Sequence, residues 1–183
     1  AQGQNRLHIQ RIIARHGGQI WAESANCAAT MIERAGGPDA IAAIGITNQR
    51  ASTVIWSKST GKPFGPAIGW QDLRTVGECM AARAEHGFSF APNQTATKAV
   101  WMLSNYISDV VERSSDDLRI GTVESWIVYN LTQGAHHVTD HTNAAVTGLT
   151  IPDGTSWNST MLATLGIAEH QLPRIVDSMG FIG

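Results

Sequence analysis

Residues 40–56 read AIAAIGITNQRASTVIW. Ala40 to Ile46 is a continuous apolar run, the pattern of a strand covered on both faces, and Ser52 to Trp56 (STVIW) is a second one. The polar tetrad Thr47-Asn48-Gln49-Arg50 separates them and would lie at the carboxyl end of the first strand, where open α/β sheets place their ligands. Arg50 is the chemically richest of the four, because a guanidinium presents several donors in a planar fork. A surface hairpin arginine paired with a carboxylate is the equally weighted structural alternative.

Outward from this stretch, periodicity predicts alternating helices and short strands. Towards the N-terminus, Ile20, Trp21, Ala25, Ala28, Met31 and Ile32 recur at helical steps over Gln19–Arg34 until Gly36-Gly37-Pro38 stops them. Before that helix, Leu7 and Ile9 alternate with polar residues as in a half-buried strand, with Ile12 or Ile13 continuing the pattern. Towards the C-terminus, Lys58–Pro63 has turn chemistry and Ala67–Trp70 (AIGW) is expected to pair back as a strand. Asp72 is then placed to cap a helix through Leu73, Val76, Met80 and Ala84, ending near Gly87. Further helices are expected over Thr95–Arg113, from Thr122 to Gly134 with Glu124 in the first turn, and from Ser156 or Asn158 through Leu165. His136 to Thr150 reads as short extended or looped pieces.

Composition narrows the function. The 183 residues are 43% hydrophobic and 15% charged, enough for one domain with a core, and the net charge of −2 with no basic run argues against nucleic-acid binding. No apolar run approaches the roughly 20 residues of a membrane span. Cys27 and Cys79 have neither metal-ligand spacing nor disulfide density, so a reduced, cytoplasmic protein is expected. His136, His137, Asp140 and His141 form the densest set of potential metal ligands, but adjacent histidines on a strand point to opposite faces and no second cluster supports them. The chain carries no G-x-S-x-G elbow and no Gly-rich phosphate-loop motif of the common kinds. Trp70, beside Gln71 and Asp72, offers an aromatic wall suited to a hydroxylated ligand. For Trp21, Trp56, Trp101, Trp126 and Trp157, packing is the expected role.

The order of these motifs resembles the FGGY carbohydrate kinases, most closely their glycerol kinase members. The resemblance rests on IAAIGITNQRASTVIW from Ile41, TGKPFGPAIGWQDLRT from Thr60, TATKAVWML from Thr95, GTVESWIVYNLTQG from Gly121, and HVTDHTNAAVTGL up to Leu149. It implies an α/β fold of the ribonuclease H-like, actin-type ATPase superfamily, with a mixed sheet flanked by helices. The implied reaction is phosphoryl transfer from ATP, with Mg²⁺, to a polyol or sugar hydroxyl. By the same resemblance Arg50 and Trp70 match substrate-contacting positions, Asn93 stands where glycerol kinases carry a tyrosine, and Gln49 neighbours the arginine. Ala51 replaces a glutamate of those kinases and Asn93 changes a second pocket position, which implies an acceptor other than glycerol.

Relatives begin with two strands around a D-x-G-T-[ST] turn that does not appear before Ala1, and their catalytic aspartate belongs to a second domain that would follow Gly183. Residues 1–183 are therefore expected to form one partial N-terminal domain lacking its first strands, inactive as a kinase when alone. The alternative is a degenerate kinase acting as a non-catalytic binding module, with unpaired sheet edges driving homo-oligomerisation. A metal-dependent hydrolase on the same scaffold would need clustered carboxylates on adjacent strands, and the strands read here carry none.

Overall fold

The structure, a computed structural model, describes residues 17–182. The strand expected over Leu7–Ile13 lies outside them.

Helix α1 spans Gly17–Arg34. Its periodic stripe is covered only at one end: Ile20 is buried, whereas Met31 is 58% exposed. Gly36 and Gly37, at φ of 99° and 111°, end it as the glycine pair predicts, with the Gly37 N–H donating to the Ile32 carbonyl. A short 3-10 turn, Pro38–Ala40, follows.

The expected strand over Ala40–Ile46 is not formed. The segment is extended, yet Ile44 is 62% exposed and Ile46 37%. A strand exists only where a neighbour answers its N–H and C=O groups, and among the described residues no strand runs beside this one.

The second apolar run does become a strand. β1, Thr53–Ser57, pairs antiparallel with β2, Leu118–Thr122, with Ile55 opposite Ile120. Thr53 to Trp56 are all buried because alternate side chains enter two different cores. Ile55 joins Ile120, Met102 and Leu103 on one face, while Val54 and Trp56 join Ala67, Trp126 and Tyr129 on the other. Of the expected strand Ala67–Trp70, only Ile68 pairs, exchanging two backbone hydrogen bonds with Thr53.

Helix α2 is Val76–His86 and stops at Gly87, which takes the left-handed conformation. It starts later than expected because Asp72 binds Arg74 in preference to capping a helix: Arg74 donates to both carboxylate oxygens, at 2.7 to 3.0 Å. Helix α3 is Thr95–Tyr106, and the expected continuation to Arg113 breaks at Ile107. Ile107 turns into the core, 2% exposed, and Arg113 Nε donates to its carbonyl. Asp109 then caps the short α4, Val110–Arg113, which leaves Val110 and Val111 exposed.

Helix α5, Val123–Leu131, follows directly on β2 and ends where the N–H of Gly134, at φ 84°, reaches the Tyr129 carbonyl. Within the His136–Thr150 stretch lie β3, Val138–Asp140, and α6, His141–Ala145, with Asp140 as its cap. Asn158, of the two residues considered, caps α7, Ser159–Leu165. After a 3-10 turn at Glu169–Gln171, β4, Arg174–Val176, pairs parallel with β3. The fold is α/β, with both parallel and antiparallel pairing, divided between two two-stranded sheets. Among the described residues no helix is long and apolar enough to cross a membrane.

Candidate functional site

A cavity of about 500 Å³ opens between the unpaired extended segment and the β3–β4 pair. Ile44, Ile46 and Val138 give it apolar walls; Asn48, Arg50 and Glu124 give it polar ones. Its position at the carboxyl ends of the extended segment and of β3 is the one expected for a ligand in an α/β fold.

Arg50 reaches the cavity from a tight turn. The N–H of Ser52 donates to the Gln49 carbonyl, and Ala51, third of the four residues, sits at φ 61°. That conformation is rare for a residue with a Cβ and is normally filled by glycine. The Arg50 guanidinium is exposed and donates to the Thr142 carbonyl at 3.4 Å, which leaves most of its donors free for a ligand.

Opposite it stands Glu124, 7% exposed. Burial raises its carboxyl above the usual range, and hydrogen bonds from Thr122 and Thr139 pull it back in part. Asn48 Nδ2 donates to its other oxygen. Asp140, on the same cavity, is also pushed up by burial, but donors from Ser178, Asn143 and Thr142 outweigh that and hold it at about 2.

The other expected site residues do not line this cavity. Trp70 is 38% exposed, and its N–H donates to Ser52 Oγ at 3.3 Å. Asn93 is exposed in the turn before α3, and Gln49 contributes its backbone to the Arg50 turn. The loops of Gln49 and Asn93 nevertheless meet at a residue the sequence reading left in the background. Lys98, fully buried, donates to the Ala51 carbonyl at 3.0 Å and to the Asn93 carbonyl at 2.8 Å. Beside it Thr97 Oγ1 donates to Thr75 Oγ1, which donates in turn to the Pro92 carbonyl. No pattern in the sequence singles Lys98 out, because the buried side of its helix carries Thr95 and Thr97 as well.

The histidine cluster is dispersed. His137 packs edge-on against Trp56 with ring centroids 5.0 Å apart, while Asp140 faces Ser178. Cys27 and Cys79 are free thiols.

Residues 5–183 match the description "FGGY family of carbohydrate kinases, N-terminal domain". The chain belongs to the FGGY family of carbohydrate kinases. It is similar to the glycerol kinases of Aromatoleum aromaticum, 41% identical over 175 residues, and Thermus brockianus, 38% identical over 176. Each match covers 90% of this FGGY chain and 35% of the relative, so the chain spans about a third of the length of these curated relatives. Among solved structures, Plasmodium falciparum glycerol kinase with ADP superposes with a TM-score of 0.65 at 31% identity, covering 74% of this chain and 28% of that one. Ligand-bound xylulose kinase from Lactobacillus acidophilus gives a TM-score of 0.71 at 22% identity over 88% of this chain and 33% of its own, a likeness of fold. These FGGY structures have an actin-like ATPase fold.

Proposed function

We propose that this chain supplies the acceptor-binding part of an ATP-dependent carbohydrate kinase, a phosphotransferase acting on a hydroxyl of a polyol or sugar. The observation that carries the reading is Arg50, its guanidinium held at the mouth of a small-molecule-sized cavity by a strained turn. A planar fork of donors binds vicinal hydroxyl oxygens and orients one of them, and orientation is the larger part of catalysis in phosphoryl transfer. An acceptor that extends past the mouth of the cavity would meet Trp70, exposed on the neighbouring loop, against its carbon face, with Asn93 and Gln49 bordering it.

ATP would supply the transferred phosphoryl group. Among the described residues no group of three His, Cys, Asp or Glu could hold a metal ion, and Mg²⁺ would come with the nucleotide, neutralising charge on its phosphates. The reading assigns acceptor binding, and not turnover, to residues 17–182. It also makes the protein cytoplasmic, in keeping with its free thiols.

Ala51 is only 5% exposed and has no side-chain acceptor, and Asn93 is a short amide at the second changed position. We therefore take the acceptor to be a polyol or sugar other than glycerol. Calorimetric titration of the chain with glycerol, xylitol, sorbitol and pentoses tests this. One ligand should bind with an affinity that Arg50→Ala weakens roughly 10- to 100-fold; no binding by a folded chain would end the reading.

The exposure of Ile44 and Ile46, on backbone that pairs with no strand among the described residues, favours a second reading, in which this edge joins two copies of the chain as a non-catalytic module. Sedimentation of a pure monomer at high concentration would remove it.

A further inference from the structure

Lys98 lies inside α3, fully buried, with its ammonium shared between two backbone carbonyls and with no part in any ion pair among the described residues. Taking an ammonium out of water is costly unless hydrogen bonds or an opposite charge answer it. Burial pushes the amine down to about 8, opposed by the nearby charge of Asp72. The expense is explained by what the ammonium joins.

Its two acceptors belong to segments 42 residues apart in sequence. One is Ala51, the residue at φ 61° that turns the chain so that Arg50 faces the cavity. The other is Asn93, in the turn that opens α3. A third segment is tied in through Ser52, whose hydroxyl accepts from Trp70 N. Two loops carrying proposed acceptor contacts therefore converge on one side chain, and the third is tied to them at the residue after Ala51. A carbonyl that accepts from a buried ammonium is fixed in direction, and fixing the Ala51 carbonyl fixes the peptide plane that follows the Arg50 turn.

We propose that Lys98 is a positioning residue, whose ammonium clamps the Arg50 turn to the Asn93 turn and so sets the width and shape of the acceptor site. The clamp itself follows from the two hydrogen bonds; its role in acceptor recognition rests on the function proposed above.

The test uses the full 183-residue chain. The sequence has three lysines, and Lys58 and Lys62 are exposed. A ¹⁵N spectrum of the lysine ammonium groups near pH 6 should therefore contain one slowly exchanging resonance, assigned to Lys98; none, in the folded wild type, overturns the clamp. In Lys98→Met, amide exchange at residues 51–53 and 93–95 should rise at least tenfold relative to β3 and β4, and a uniform rise or no rise overturns it.

Affinity for the tightest polyol or sugar of the panel should fall at least tenfold in Lys98→Met and recover in part in Lys98→Arg, which keeps charged donors. The Arg variant is also the one to read if the Met variant does not fold. If Arg50→Ala abolishes binding while Lys98→Met leaves it unchanged, Lys98 is structural only and the proposal falls. If the wild type binds no acceptor, the functional reading fails and with it the recognition role, while the exchange pattern still judges the clamp.

Discussion

The side-chain amide of Asn48 donates to Glu124 Oε2, which ties the end of the extended segment to the first turn of α5 across 76 residues of sequence. Glu124 Oε1 accepts from Thr122 and Thr139 as well, so one carboxylate serves three donors from three segments. Its placement at a helix start is favourable to the dipole, yet the heavier duty is to satisfy these buried groups.

Glu124→Ala should therefore destabilise the chain by about 3 kcal/mol, because orphaned buried donors cost about 1–3 kcal/mol each. Glu124→Gln, isosteric and still an acceptor at one atom, should lose less. Urea unfolding with an unchanged m-value measures both.

Arg50→Ala should leave stability within about 0.5 kcal/mol, since the side chain is exposed and makes one long hydrogen bond. Its acceptor affinity should drop roughly 10- to 100-fold, the worth of one or two charged hydrogen bonds. Arg50→Lys should not restore it, because an ammonium is a point donor and not a fork. Paired calorimetry and thermal melts check the separation.

His137 should make the fold acid-sensitive. Burial, aided by the charge of Arg119, pushes its imidazole down to about 3, and its Nε2 is buried without a partner among the described residues. From about pH 6.5, the ordinary histidine value, down to that point the unfolded chain binds a proton the folded one refuses, so stability falls on acidification by up to about 1.4 kcal/mol per pH unit. Asp140, held at about 2, adds its own loss only below the ordinary carboxylate range. Glu124, raised by burial, works in the opposite sense but is common to both proteins, so wild type minus His137→Phe isolates the imidazole. That difference should fall as pH drops from 6.5 to 4.5, the wild type losing stability relative to the variant; a flat difference contradicts it.

Gly65→Ala should destabilise by about 1–3 kcal/mol, a drop in Tm of several degrees for a chain of this size. A Cβ there would stand 2.6 Å from the Tyr106 ring. Displacing the ring breaks the hydrogen bond from Tyr106 Oη to the Pro66 carbonyl, which ties α3 to the loop before Ile68. Gly77→Ala, with open space around its Cβ, is the control.

Helix termini and the buried strand β1 were legible in the sequence because local chemistry decides them. Gly36-Gly37, Gly87, Gly134 and Asn158 end or begin helices where turn and cap preferences put them. Elements decided by distant partners were not. The run Ala40–Ile46 has strand composition with no strand beside it among the described residues, and Ile107 leaves α3 because a core pocket outweighs one more helical hydrogen bond. Of the site, Arg50 was readable from its place after an apolar run. Lys98 and Glu124 were not, since their importance lies in partners dozens of residues away.

Trp70 is 38% exposed, whereas Trp56 and Trp126 are sealed in the core. The chain thus carries an exposed optical reporter at the loop that would meet a ligand, set against two indoles that water cannot reach and three, Trp21, Trp101 and Trp157, that it reaches in part. Acrylamide should quench a red-shifted part of the emission and spare a blue one, and a bound acceptor that covers Trp70 should protect the share of the red part that Trp70→Phe removes. Occupancy could then be followed in real time without any label.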